Sequence, residues 1–425
     1  MSIFEADVLD ERRRRAAEAL GSRPPSVLIG AGEPIHKPGG LDQVYLFTPH
    51  PEYYWLTGAR RWGGVLAFDP QEGWTHFVRP VTTDERLWEG HPEALDGEDL
   101  AALPNWLKMR AGRKVAMLGS PIRGVESDQE LTVTVRACLD GVRRRKDAAE
   151  IDLLELAVKA TAAGHAKAHE VIQPGVSERY TQIEMEGEMF RHGADAMGYG
   201  TIVGVGSHAA VLHFEPGERV VEPDDLVLID AGGAILGYTA DVTRTYPAGD
   251  QFTPKQQAIY DLVLAAEVEG ISKCHADTEW HDVHRAAARV LAQGLRDLGI
   301  LKGEVDGLLD SEAIALFFPH GIGHMTGLGV RDVGGRAPGR DEVQRYCGAQ
   351  LRVDLPLEEN FLMTVEPGIY FVPALLDNAA NRKRFHNAVA WHVLDAWRPV
   401  GGVRIEDNVL VTPNGPHVIT AEIPK

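Results

Sequence analysis

Cysteine is scarce in this chain: three among 425 residues, Cys138, Cys274 and Cys347, an odd and widely spaced set. It offers neither a disulfide framework nor a paired thiolate site, and it points to a reducing compartment. Long apolar runs are missing as well. No stretch approaches the ~18 consecutive apolar residues of a membrane helix, and residues 1–15 turn from acidic to basic without the apolar centre of a signal peptide. A cytoplasmic protein that touches no membrane is the expectation. Basic residues are in deficit, 43 Lys and Arg against 62 Asp and Glu, for a formal charge of −19 with 17 His counted neutral. Nucleic acid and anionic lipid surfaces need a basic footprint, so neither is an expected partner. Also absent are a G-x-S-x-G elbow, an H-E-x-x-H helix, a P-loop and any repeat of fixed period.

What is present is an ordinary globular composition, 44% apolar and 25% charged, able to bury a large core. At roughly 150 residues per domain the length suggests two or three domains; two are expected, residues 1–145 and 146–425. In the first, short apolar runs at 27–30, 44–47, 64–68, 75–78 and 115–118 predict strands. Helices are predicted at 10–20 and 100–109, giving a layered α/β unit. The four arginines at 12–15 lie among Asp10, Glu11 and Glu18 at helical spacings and read as a solvated, salt-bridged face. A second basic cluster at 143–146 precedes an acidic, alanine-rich helix and marks the boundary. Beyond it, helices are predicted at 148–172, 178–192 and 254–274, the last opened by Thr253, Pro254 and Gln256. Strand pairs at 226–230 with 238–246, and at 361–366 with 403–411, each carry two carboxylates, which suggests a core of two similar halves.

If the hairpin between the first pair is centred between Ile235 and Leu236, Asp230 and Asp241 stand directly opposite each other. Opposed like charges in buried strands need a cation. The competing reading is that Asp230 begins a turn and Asp241 bonds Thr243 or Arg244. Glu366 closes an apolar strand before Pro367 and Gly368, and Glu406 lies in a second β-rich run. Between the two strand pairs His320 and His324 sit among Gly321, Gly323 and Gly327, glycines that let the backbone approach a site. Asp230, Asp241, His324, Glu366 and Glu406 make a set of four carboxylates and one imidazole. Four negative charges match two divalent cations, and an oxygen-rich shell without thiolate favours Mn2+, with Co2+ or Zn2+ as competitors. Two such ions with a bridging hydroxide would hydrolyse a carbonyl compound without a nucleophilic side chain. His165 with His169, and His281 with His284, share helical spacings but lack carboxylate company and are read as structural. His208 is read as loop polarity, and Trp55 and Trp62 as core.

Over about residues 150–415 the ordered set Asp, Asp, His, Glu, Glu closely resembles the pita-bread metallopeptidases, the superfamily of methionine aminopeptidase, aminopeptidase P, prolidase and creatinase. The first third resembles the creatinase/prolidase N-terminal domain through Tyr54, Trp55, Leu56, Thr57 and Gly58. The resemblance implies an α/β (α+β) protein, a C-terminal pita-bread fold behind a smaller α/β domain, and a homodimer. It places Asp230, Asp241, His324, Glu366 and Glu406 on the metal ligands, with Asp241 and Glu406 bridging and Glu366 shuttling the proton. His213 falls on a histidine near the substrate, His320 on one behind the ligands or at the transition state, and Tyr199 and Arg404 on supporting positions. The run 366–371, the long insertion after it and the run 399–407 are similar to prolidases. So is Arg352, fourteen residues before Glu366, on an arginine that there binds the substrate carboxylate. The reading is therefore hydrolysis of Xaa-Pro dipeptides, with aminopeptidase P action on longer peptides as the alternative. A creatinase-like or non-catalytic relative is the more distant one. One departure stands out: where the family has Val-His-Asp, seven residues after His324, this chain has Val330, Arg331 and Asp332, and Arg331 is expected to add a second positive group for a substrate carboxylate.

Overall fold

The computed structural model describes residues 3–90, 95–249, 251–340 and 342–425 and divides into two units, Met1–Arg143 and Arg144–Lys425. In the first, Ser26–Gly30 pairs antiparallel with Val65–Asp69 and parallel with Val115–Gly119. Gly73–Val78 and Glu98–Asp99 complete a five-stranded sheet. Leu28, Val65, Ala67 and Phe77 bury one face against Leu103 and Trp106. The expected strand at 44–47 does not form. Val44 makes one isolated bridge to His36, and Tyr45 and Leu46 are exposed, because no neighbouring strand covers that run.

The arginine run also differs from its expectation. Arg14 lies in a solvated pairing with Glu11 and Glu18 on the helix Ala6–Ala19, and Arg13 Nη1 lies 3.7 Å from the exposed Asp10. Arg12 is fully buried: its guanidinium donates to the Trp55 carbonyl at 3.1 Å and lies 3.9 Å from the Phe4 ring centre. Arg13 and Arg15 likewise donate to the carbonyls of Leu56 and Val142. Each of these charges meets a backbone oxygen.

The second unit repeats one theme twice. Thr243–Pro247, Leu226–Asp230 and Ile202–Val205 form one antiparallel sheet, and Leu362–Val365, Asp407–Thr412 and Gly415–Val418 another. The halves touch where Thr243 bridges Glu406. Helix pairs pack behind the strands, Ala148–Val171 with Glu178–Arg191 and Pro254–Ser272 with Trp280–Asp297. Asp147 and Glu150 close a capping box on the first helix, and Thr253 and Gln256 one on the third. Trp280–Asp297 was not among the expected helices, although Trp280, Val283, Ala287, Leu291 and Leu295 form its buried stripe. Gln129–Arg144 is a second unexpected helix.

The hairpin register is displaced from the expected one. Leu236 and Gly237 both adopt positive φ, 53° and 88°, the pattern of a two-residue type I′ turn, so Ile235 pairs with Tyr238 and Asp230 with Thr243. Asp230 and Asp241 are therefore not directly opposite. A two-residue slip preserves the face, and Asp241 stays on the side of the sheet that carries Asp230.

Candidate metal centre

Both aspartates come from the first half, one ending the apolar strand 226–230 and the other preceding the strand 243–247. Glu366 and Glu406 hold the corresponding places in the second half, next to the paired residues Val365 and Asp407. Asp241, His324 and Glu406 present ligand atoms that all lie within 4.8 Å of one another, and all three are buried. Glu366 adjoins them, its Oε1 3.7 Å from His324 Nε2, which is also 3.4 Å from Asp241 Oδ2. Asp230 is held at the edge of this group. Its Oδ1 accepts from the Tyr199 hydroxyl and its Oδ2 from Arg404 Nη2, both at 2.7 Å.

The donor set is short of positive charge. Four carboxylates share one guanidinium, Arg404, and burial pushes Glu366 up to about 7 and holds Asp230 and Glu406 above the usual carboxylate range. His324 donates from Nδ1 to the Met325 carbonyl at 3.0 Å, which leaves Nε2 aimed at carboxylate oxygens. Burial works against protonation of that ring, yet Asp241 and Glu366 hold it above the ordinary histidine value. An imidazole nitrogen facing a ring of carboxylates is an arrangement that divalent cations satisfy in place of a proton, so these residues fit a metal centre. The competing reading, a bond from Asp241 to Thr243 or Arg244, does not match the geometry, since Thr243 donates to Glu406 Oε2 at 2.6 Å and Arg244 pairs with Asp407.

The other predicted residues share the same cleft, of about 710 Å3, which is lined by Tyr199, His213, His320, Arg331, Arg352 and Arg404 as well as the five acidic and imidazole groups. His320 Nδ1 lies 2.8 Å from the Gly321 carbonyl and must donate to it. Its Nε2 therefore accepts from the Tyr370 hydroxyl at 2.8 Å, and the Tyr370 oxygen accepts from Arg404 Nη1 at 3.0 Å. Burial, with Arg404 nearby, lowers His320 to about 3, so the ring stays neutral. Tyr370 and Thr243 were not singled out as site residues. Thr243 accepts from Arg404 Nε and donates to Glu406, and both residues belong to runs whose carboxylates attracted attention first.

The insertion at 372–398 lines no part of the cleft. It folds into short helices, Pro373–Leu376 and Ala379–Arg384, and buries Leu376, Phe385, Val389 and Leu394 in the main core. His165 and His284 are core histidines bonded to the carbonyls of Ala231 and Tyr346. His281 stacks on Tyr346 beside Glu279 and Asp354, whose carboxylates Arg340 already pairs.

Residues 152–413 match metallopeptidase family M24, and residues 9–99 match the N-terminal domain of aminopeptidase P. The chain belongs to metallopeptidase family M24. A probable Xaa-Pro aminopeptidase of Botryotinia fuckeliana is 31% identical over 399 residues, 90% of this chain and 86% of that protein. One from Sclerotinia sclerotiorum is 30% identical, spanning 97% and 79%. Among solved structures, an aminopeptidase of Pseudomonas aeruginosa superposes with a TM-score of 0.82 at 29% identity, covering 100% of this chain and 97% of that one. A zinc-substituted Escherichia coli aminopeptidase P in complex with product gives 0.81 at 27% identity, covering 99% and 96%. The family member thus has the pita-bread fold with an aminopeptidase P-type N-terminal domain, and divalent metal belongs to its chemistry. Its relatives carry the name of the alternative reading, aminopeptidase, rather than dipeptidase.

Proposed function

We propose that this chain is an Xaa-Pro aminopeptidase, releasing the N-terminal residue of peptides with proline in second place. The carrying observation is the buried group Asp241, His324 and Glu406, with Glu366 and Asp230 beside it, at a cleft of about 710 Å3. That volume lies well inside the ~300–1,000 Å3 of ordinary ligand sites and leaves room beyond a dipeptide. The names of relatives matched along nine-tenths of the chain support the same choice over the dipeptidase. The insertion that resembled prolidases plays no part in the cleft.

Asp230, Asp241, His324, Glu366 and Glu406 would hold two divalent ions, Mn2+ being the first candidate from the oxygen-rich set. When bound, such ions lower the pKa of a water and polarise the scissile carbonyl. Glu366 takes a proton from the attacking water and delivers it to the proline nitrogen. A departing imide nitrogen has no hydrogen of its own and needs that proton. Arg404 fixes Asp230, Thr243 and Tyr370 together, and His320, neutral and engaged on both nitrogens, orients the Tyr370 hydroxyl. His213 and Arg331 face the substrate side. A cytoplasmic homodimer accords with three unpaired cysteines and with the family resemblance.

The test compares Xaa-Pro with Xaa-Pro-Yaa peptides using Mn2+-loaded protein. Faster release from the tripeptides is expected; strong preference for dipeptides would return the assignment to a dipeptidase. Glu366→Gln should abolish turnover and spare peptide binding.

A further inference from the structure

Residues 206–217 run from the end of the strand Ile202–Val205, and Leu212, His213, Phe214, Glu215 and Pro216 of this segment line the cleft. Its first five residues, Gly206–Ala210, form a 3-10 helix, and the remainder has no helix or strand of its own and is tied at its ends to neighbouring elements. The side chain that joins both ends is that of Glu178, the first residue of the helix Glu178–Arg191. Its side chain is entirely buried, and one carboxylate gathers three donors: Val205 N–H at 3.0 Å and His208 Nδ1 at 2.7 Å on Oε1, and Gly217 N–H at 3.0 Å on Oε2. Residues twelve apart are thereby closed on a single side chain, as in a compact Ω-loop. A buried carboxylate is tolerable only with such donors, and a helix N-terminus adds favourable potential. His208, partly exposed, then stacks on Phe214 with ring centres 4.1 Å apart and planes 26° apart. The chain of contacts runs from Glu178 through His208 to Phe214, the neighbour of His213.

We infer that Glu178 is a positioning residue, and that through His208 it holds the 206–217 loop so that His213 faces the substrate. The role of His213 is taken from the functional reading above; the anchoring of the loop is not. Glutamine at 178 keeps the size but replaces an oxygen that only accepts with an amide that donates, so one backbone N–H loses its partner.

Two readouts test this. In metal-free protein, hydrogen exchange across residues 205–217 should quicken at least tenfold in Glu178→Gln, with the helix Trp280–Asp297 unchanged; equal exchange overturns the inference. Should that variant not fold, His208→Ala, at a partly exposed position, should quicken the same segment two- to fivefold, and no change would be equally decisive. In peptide hydrolysis, Glu178→Gln should lower kcat/KM about tenfold with metal content intact, but less than twofold on a His213→Ala background. A full tenfold loss in both backgrounds rejects the route through His213. Absence of hydrolysis by the unaltered chain would sink the aminopeptidase reading and leave the exchange experiment to decide the anchor.

Discussion

Arg331 and Arg352 open on the cleft, and neither has a hydrogen-bond or ion-pair partner among the described residues. In a chain with 62 acidic residues an arginine without an acid is conspicuous. The expectation that Arg331 meets a substrate carboxylate carries over to Xaa-Pro-Yaa, where that group is the C-terminus. Arg331→Gln should raise KM for the free acid about fivefold, in keeping with the ~1 kcal/mol of an exposed charge contact, and leave kcat alone. The C-terminal amide should show no such rise; equal effects on acid and amide would place the guanidinium elsewhere. Residue by residue, the acidic and imidazole groups were readable because polar atoms at the ends of apolar strands need a reason. Tyr370 and Thr243 were not, because a hydroxyl that relays between an arginine and a carboxylate looks from sequence like any other hydroxyl.

Strands and helices were legible where a local rule fixes them, as with the capping box at Thr253. The hairpin shows the limit. Its existence followed from pattern, but its register depended on which two residues take positive φ, and Leu236 with Gly237 is a less obvious pair than Gly232 with Gly233. Helix packing is hidden further still. At Gly164 on the helix Ala148–Val171, a Cβ would lie 2.5 Å from Met189 Cγ and 3.1 Å from the Met185 carbonyl oxygen. Gly164→Ala gains up to ~1 kcal/mol of helix propensity and loses ~1–3 kcal/mol to overpacking. Net destabilisation of about 1 kcal/mol is expected from urea unfolding, and a stabilised variant would mean the two helices part freely.

For the whole molecule, the crowded carboxylates are expected to tie folding to metal. Metal that binds only the folded chain should stabilise it by about 2.7 kcal/mol at a hundredfold excess over Kd. The Tm should climb with the logarithm of Mn2+ concentration and cease to do so in Asp241→Asn; a Tm indifferent to Mn2+ and to chelator would rule out the centre. Acid should act through other groups. Burial pushes His165 down to about 3 and His284 to about 4, while in the unfolded chain each takes a proton below ~6.5. The unfolded state then binds more protons, so this stability is complete above ~6.5 and drains away toward pH 4, at about 1.4 kcal/mol per pH unit and group. Urea midpoints at pH 7 and pH 5 should differ less in His284→Gln, which keeps a donor for the Tyr346 carbonyl, than in the parent. Parallel decline in both would assign the acid sensitivity elsewhere.

The amino-acid sequence by itself determined the fold class and which acids and imidazole stand as candidate ligands, since an acid or imidazole in an apolar strand leaves a mark that needs no three-dimensional context. Where the segment after Phe371 goes was left to the tertiary structure: it turns into the core, burying Leu376, Phe385, Val389 and Leu394, while Arg331 and Arg352 line the cleft. The anchoring of residues 206–217 by Glu178 was likewise invisible in the chain order. A carboxylate at the start of a helix is ordinary until folding brings three donors, one of them thirty-nine residues away, onto it.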